Sequence, residues 1–384
     1  MAPQITPTQT PRTTRMDAVV RLALVAVLAI LVLLAVFAAR PPRELTIETG
    51  PVGGSYHQNA LKYQAILERR GITLRLKPNP NSLEIARNVA NPQSGIDVGF
   101  VAQDVGSSHD AALFTAGQIE IQPLFIFASA ELGRRSMLDD LRGRRIVMPP
   151  RESATSEAAV QILKLYDITP ENSQFTFMPL ADAVKALRKG RDFDAGAFML
   201  TSENAVIREL AGDSSLHLIP VSEGKAISNQ LPFLRAVTLP RGIYSIADAI
   251  PAANTPLVAA PVSVIVRRGL HPYLLYSLLE ALSDTHRGPT FISGAGEFPS
   301  INGSQLAADP RAEIYYRTGI PWMYRDLPPM LASAIDRNQA WIFAIALVSG
   351  FYLAVRCSVA IVMLVWAPFR HRRAEPASVP TPEA

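Results

Sequence analysis

Ile47-Glu48-Thr49-Gly50-Pro51-Val52-Gly53-Gly54-Ser55-Tyr56-His57-Gln58-Asn59 is the stretch on which the reading of this chain turns. A β-rich run over 45–49 enters a turn holding Gly50, Pro51, Gly53 and Gly54, and a helical pattern over 56–70 follows. Strand, glycine turn and helix start, in that order, aim free backbone N–H groups and the positive end of a helix dipole at one spot. Such a spot binds carboxylate or phosphate. Gly53 and Gly54 permit close backbone approach, Ser55 adds a hydroxyl and Tyr56 an aromatic wall. The competing reading of the same residues is an ordinary strand-to-helix turn.

The alternation continues downstream. Strands are expected at 73–78, 96–101, 121–128, 145–148, 174–178 and 195–199, and helices at 82–90, 155–166 and 180–189, with a helical turn at 136–141. Strands alternating with helices define an α/β fold class, and no internal repeat is evident. Asn81-Ser82 and Glu152-Ser153-Ala154-Thr155 open two further helices after strand ends, the place where open α/β sheets bind ligands. Ser82, Ser153 and Thr155 are therefore candidate ligand hydroxyls, although helix capping accounts for them equally well. Gln103 follows a buried-looking strand and can donate to a carboxylate, with a cap at Asp104 as the competing role. Arg151 carries a guanidinium fork that matches a carboxylate, or else is a solvated charge beside Glu152.

The run over 22–39 lacks any charge or proline and, at about 1.5 Å per residue, is long enough to cross most of a bilayer core. Arg12, Arg15 and Arg21 precede it and favour a cytoplasmic N-terminus, so an uncleaved anchor is expected at 17–39, with cleavage after Ala38 as the alternative. A second apolar stretch over 340–369 contains Arg356 and is closed by Arg370, His371, Arg372 and Arg373. It is read as a return crossing with a cytoplasmic C-terminus, a buried structural helix being the alternative. The ends read as a disordered cytoplasmic tail at 1–16 and a basic cytoplasmic tail at 370–384, disordered over 374–384.

The formal charge of +4, from 37 Lys and Arg against 33 Asp and Glu, comes mostly from these ends. The central region is nearly neutral and makes no case for nucleic acid. A lone cysteine, Cys357, supports neither a disulfide framework nor a thiolate metal site. The six histidines lack metal-ligand spacing, and no Ser-His-Asp order, paired carboxylates or nucleotide fingerprint appears. No metal, cofactor or enzymatic activity is expected.

Several segments together resemble the TAXI-type solute-binding subunits of TRAP transporters, in the membrane-anchored bacterial branch. They are Thr49 to Tyr56, Gly95-Ile96-Asp97-Val98-Gly99-Phe100-Val101-Ala102-Gln103, Phe193-Asp194-Ala195-Gly196-Ala197-Phe198, Thr238-Leu239-Pro240-Arg241-Gly242-Ile243-Tyr244, Leu270-His271-Pro272-Tyr273-Leu274, Gly296-Glu297-Phe298-Pro299-Ser300 and Tyr315-Tyr316-Arg317-Thr318-Gly319-Ile320-Pro321. The resemblance implies a two-lobed, type II-like periplasmic-binding-protein fold between N-terminal and C-terminal transmembrane helices. One lobe would occupy 44–128 and the other 129–235, with 236–335 returning to the first and crossings near 127–130 and 233–237. It also implies a periplasmic domain on the bacterial inner membrane, closing on a small organic anion, glutamate-like or a dicarboxylate, for a TRAP-type permease. Gly53, Gly54, Ser55, Tyr56, Ser82, Gln103, Arg151, Ser153, Thr155 and Phe198 are then the expected ligand-binding residues. Two motifs depart from the family: Glu152-Ser153-Ala154-Thr155 stands where relatives usually have Gly-Ser-Gly-Thr, and Asn79-Pro80-Asn81-Ser82 replaces a Gly-Ser turn. A membrane-tethered sensor or assembly factor on the same fold is the alternative function, and two membrane crossings suit it.

Overall fold

β1 (Glu44–Thr49), β2 (Thr73–Pro78) and β3 (Val98–Val101) are short apolar runs that pair in parallel, with β1 in the middle. Parallel neighbours need crossover connections, and α1 (Ser55–Glu68) and α2 (Ser82–Ala90) supply them. These elements belong to a computed structural model that describes residues 40–102, 113–133, 136–304 and 306–371, plus isolated positions between 22 and 38.

β4 (Leu113–Ser129) then runs through both halves of the fold. Its residues up to Pro123 pair antiparallel with β10 (Thr255–Arg267), which also lies beside β3. From Leu124 onward it pairs instead with β7 (Ala195–Met199), and from Ile126 with β8 (Leu216–Ile219) on its other side. Proline brings no N–H to a ladder, and Pro123 stands where β4 changes partners. The second half is completed by β5 (Arg145–Met148) and β6 (Gln174–Phe177), parallel to each other and to β7, with α3 (Ala154–Leu165) and α4 (Leu180–Arg188) as crossovers. The chain returns through α5 (Ala205–Gly212), α6 (Gly224–Gln230) and β9 (Arg235–Leu239), the last pairing with the start of β10. α7 (Pro272–His286), α8 (Pro310–Thr318) and α9 (Trp322–Asp326) follow. This is a mixed α/β, two-lobed arrangement in which one strand is common to both sheets.

Two details differ from the sequence reading. The strand expected over 121–128 extends over Leu113–Ser129, because Gln118, Glu120 and Gln122, polar residues that suggest a surface, are all buried. The change of sheet accordingly falls between Pro123 and Leu124, before the crossing expected at 127–130. His271 is the N-cap of α7, its Nδ1 accepting from the Tyr273 N–H at 3.2 Å.

Residues 41–326 form one compact unit; 327–371, with the described part of the first 40 residues, form another. In the latter, α10 (Pro329–Arg337) precedes α11 (Gln339–His371). Within α11, the 24 residues of Gln339–Val362 make up a stretch long and apolar enough to cross a membrane, alone in this among the described residues. The expected first span falls in part, and both tails largely or wholly, outside the described residues. The described positions between 22 and 38 are helical, and Arg337 Nη1 donates to the Ala38 carbonyl at 2.9 Å.

Gly99 in β3 shows how closely α2 packs on the first sheet. A Cβ there would lie 2.4 Å from Cγ2 of Ile85 and 3.1 Å from Cγ2 of Val89, both fully buried on α2. Gly99→Ala should therefore overpack this layer and lower stability by about 1–3 kcal/mol. Urea unfolding of the two proteins checks it: an unchanged midpoint would mean that α2 moves aside freely.

Candidate functional site

α1 begins without a side-chain cap. Its N-cap is Gly54, extended at φ −72° and ψ 161°, whose N–H donates back to the Pro51 carbonyl at 2.9 Å. A Cβ on Gly54 would stand 3.0 Å from that oxygen. The first-turn N–H groups of Ser55, Tyr56 and His57 consequently have no acceptor among the described residues. Ordinarily a Ser, Thr, Asp or Asn side chain fills this role. Tyr56 stacks on Phe100 with ring centroids 5.1 Å apart, and its buried hydroxyl has no hydrogen-bond partner among the described residues. Burial first, and the Glu120 charge second, push this phenol far above its ordinary pKa, so it stays protonated.

The two lobes meet directly in front of this helix end. Ser82 Oγ accepts the Ala154 N–H at 2.8 Å, while the Ser82 N–H donates to the Glu152 carbonyl at 3.2 Å. Ser55 Oγ accepts the Thr201 N–H at 3.0 Å and lies 3.4 Å from Nδ2 of Asn204. Capping within each lobe is separate: Asn81 Oδ1 accepts from the Glu84 N–H, and Ser153 Oγ from that of Ser156. Thr155 Oγ1 accepts the Met199 N–H at 3.3 Å.

A cavity of about 50 Å³ lies between the lobes. Of the residues proposed from sequence, Gly54, Ser55, Tyr56, Ser82, Ser153 and Thr155 line it together. Gly53 is exposed in the preceding turn at φ +84°, and Phe198 is fully buried inside β7 away from the lining. Arg151 is exposed, with its guanidinium 4.5 Å from the Phe177 ring centroid, and does not line the cavity either. Gln103 lies outside the described residues. Sequence reasoning missed Gln122 and the apolar second-lobe wall of Leu180, Met199 and Leu200. It also missed Thr201 and Asn204, which hold the lobes together. The one available signal for Gln122 was the polar-apolar alternation of Gln118-Ile119-Glu120-Ile121-Gln122.

Behind Gln122 sits a buried carboxyl. Glu120 accepts from Gln122 Nε2 at 2.6 Å and from Asn59 Nδ2 at 2.9 Å, so the crossing strand and α1 are joined through it. Desolvation pushes this carboxyl up to about 7, despite the two amide donors. His286 Nδ1 is 3.9 Å from Glu120, a separation that suits an ion pair. Burial nevertheless pushes the imidazole down to about 3, so at neutral pH it is uncharged and its Nε2 shares a hydrogen bond with the Tyr63 hydroxyl. No group of three or more His, Cys, Asp or Glu among the described residues is arranged to hold a metal ion.

These opposite shifts set a pH dependence. Relative to the ordinary carboxyl value of 4.5, folding tightens proton binding at Glu120, so its contribution to stability falls as pH rises from about 4.5 toward 7. Folding weakens proton binding at His286 relative to 6.5, so its contribution rises from about pH 3 to 6.5. The two slopes oppose each other in the overlapping window. In Glu120→Gln only the histidine slope remains, so the stability of the parent protein minus that of the variant should decline steadily from pH 4.5 to 7. Denaturant unfolding at successive pH values measures the gap, and a constant gap would sink the assignment.

Fold and cleft together define a mixed α/β, two-lobed protein with a small cavity between its lobes. The sequence profile of the NMT1-like family matches residues 47–296, and the chain belongs to that family. No curated protein matches the sequence. Among solved structures, an ancestral arginine-binding protein bound to arginine is similar at 13 % identity and a TM-score of 0.43, covering 66 % of this chain and 96 % of its own. Holo ArgBP from T. maritima is similar at 13 % identity and 0.41, covering 64 % and 92 %. A histidine kinase sensor domain with similarity to periplasmic binding proteins gives 17 % and 0.40, covering 63 % and 90 %. At such scores these likenesses carry no argument about ligand or signalling.

Proposed function

We propose that this protein is a membrane-anchored, extracytoplasmic solute receptor that captures a small organic anion between its lobes, without catalysing a reaction. The observation that carries the reading is the uncapped start of α1, where two residues with N–H groups unpartnered among the described residues, Ser55 and Tyr56, line the interlobe cavity. An anion there would complete the first turn and meet the helix dipole. The finer assignment is to the TAXI branch, delivering a glutamate-like or dicarboxylate class of ligand to a TRAP-type permease, and it rests on the motif resemblance. Anchors at both ends of the chain would leave both termini cytoplasmic and the lobes in the periplasm of a bacterial inner membrane. The lobes are drawn at 44–128 and 129–235, with 236–335 returning to the first.

One observation favours a second reading. Ser55 with Thr201, and Ser82 with Ala154, close the cleft through the protein's own groups. A tethered sensor or assembly factor needs no more than this, because lobe closure itself can be the signal.

Thermal unfolding of the full chain in detergent micelles, with and without small carboxylates, separates the two. A receptor is stabilised by about 2.7 kcal/mol at a hundredfold excess of ligand over Kd. Gly54→Val should weaken binding by about tenfold or more, since its side chain displaces the turn and charge-assisted hydrogen bonds contribute about 1.5–3 kcal/mol each. Absence of any shift across the series would leave the sensor or assembly reading in its place.

A further inference from the structure

Glu120 stands on β4 just behind the cleft and is tied to it twice. Its Oε1 accepts from Nε2 of Gln122, a residue of the cavity lining, at 2.6 Å, and its Oε2 accepts from Nδ2 of Asn59 on α1 at 2.9 Å. The residue is only 5 % exposed, so a negative charge on it is poorly screened by water. That charge already acts on Tyr56, which lines the cavity, by adding to the burial that holds the phenol protonated. An anion seated at the start of α1 would feel the same field.

The groups around Glu120 leave that charge only partly offset. From α1, the Lys62 ammonium favours the carboxylate but is exposed, and burial holds Tyr63 protonated. From α7, His286 comes within 3.9 Å, yet its own burial keeps it uncharged at neutral pH. Val262 is the facing residue on β10. Glu203, half-buried beyond β7, carries a like charge that opposes ionisation. With its carboxyl pushed up to about 7, chiefly by burial, Glu120 is part protonated at neutral pH.

Resting on the receptor reading above, we infer that the cleft takes up its organic anion together with a proton from solvent, and that Glu120 holds that proton. Two unit charges of like sign about 10 Å apart, at an effective dielectric of about 20, repel by roughly a tenfold change in an equilibrium constant. A bound anion therefore tightens proton binding at Glu120, and a proton on Glu120 tightens anion binding by the same factor. Affinity is highest below pH 7, where the carboxyl is already neutral, and falls as pH rises through 7. Two other titratable groups lie near the cleft without lining the cavity. His57, in the first turn of α1, shares a hydrogen bond with Thr49 Oγ1 at 3.2 Å, and Glu48 accepts from Asn88 at 3.0 Å and from the lining residue Asn79 at 3.4 Å.

Calorimetric titration of the full chain in detergent micelles with glutamate and succinate, in HEPES and in Tris, tests the coupling from about pH 6.5 to 8.5, where the carboxyls of both ligands are ionised. Kd should rise about five- to tenfold across this range, and the dependence of the heat on the buffer should give uptake of about half a proton near pH 7.5. Glu120→Gln should bind with an affinity independent of pH and take up no proton, whereas His57→Gln and Glu48→Gln should keep the parent's slope. A slope that survives Glu120→Gln overturns the assignment. Should that variant fail to fold, the infrared difference spectrum on adding ligand above pH 7 decides: proton uptake by Glu120 adds the C=O band of a protonated carboxyl, which Glu48→Gln retains, and a spectrum without that band overturns the proposal. Binding of constant affinity with no proton uptake by the parent protein overturns the coupling and leaves the receptor reading standing. No heat from either ligand at any pH overturns both.

Discussion

Strand β4 must find ladder partners along 17 residues while passing from one sheet to another, and the positions of both lobes follow from how it does so. Buried backbone N–H and C=O groups left without partners cost about as much as lost hydrogen bonds. Up to Pro123 the ladder is completed by β10, and beyond it by β7 and β8. The lobes are therefore joined through a continuous strand, and the mouths of the strand-to-helix turns on either side of it come to face each other. The interlobe cavity lies at that meeting.

The same accounting of backbone groups distinguishes two of the helix starts that face the cleft, α1 and α3. Gly54 leaves α1 uncapped, whereas α3 has an internal cap in Ser153 and an external one in Ser82. Hydroxyls that sequence assigns to a ligand are thereby engaged across the cleft: Ser82 binds a backbone N–H of the second lobe, and Ser55 does likewise with Thr201. On the proposed receptor reading, closure engages hydroxyls that ligand capture would also use, so the affinity of a ligand would be tied to the stability of the closed lobes.

Behind the cleft, Glu120 links the crossing strand to α1 through Asn59, and to the cavity lining through Gln122. Burying a carboxyl is tolerable here because both amides donate to it and because protonation is accessible near neutral pH. Since the element it braces is the one whose N-terminus lines the cleft, the packing of α1 and the electrostatics of its N-terminus are not independent.

Local pattern was enough for much of this. The glycine turn at 50–54, the alternation of strands with helices and the helix starts at Ser82 and Ser153 follow from dihedral freedom, side-chain period and capping chemistry, all of which act within a few residues. Six of the ten residues proposed for the site share the cavity for the same reason, since they lie beside those helix starts. Tertiary structure alone decided the rest. The full length of β4 was hidden because Gln118, Glu120 and Gln122 read as surface, and only distant partners such as Asn59 make their burial possible. Arg151 looked like the site's cation by its nearness to Ser153 in sequence, yet the local path of the chain places it over Phe177. Whether Ser82 faces a ligand or the N–H of Ala154, 72 residues away, depends on how closely the lobes meet, and hydrogen bonds between distant segments leave no periodic trace in a sequence.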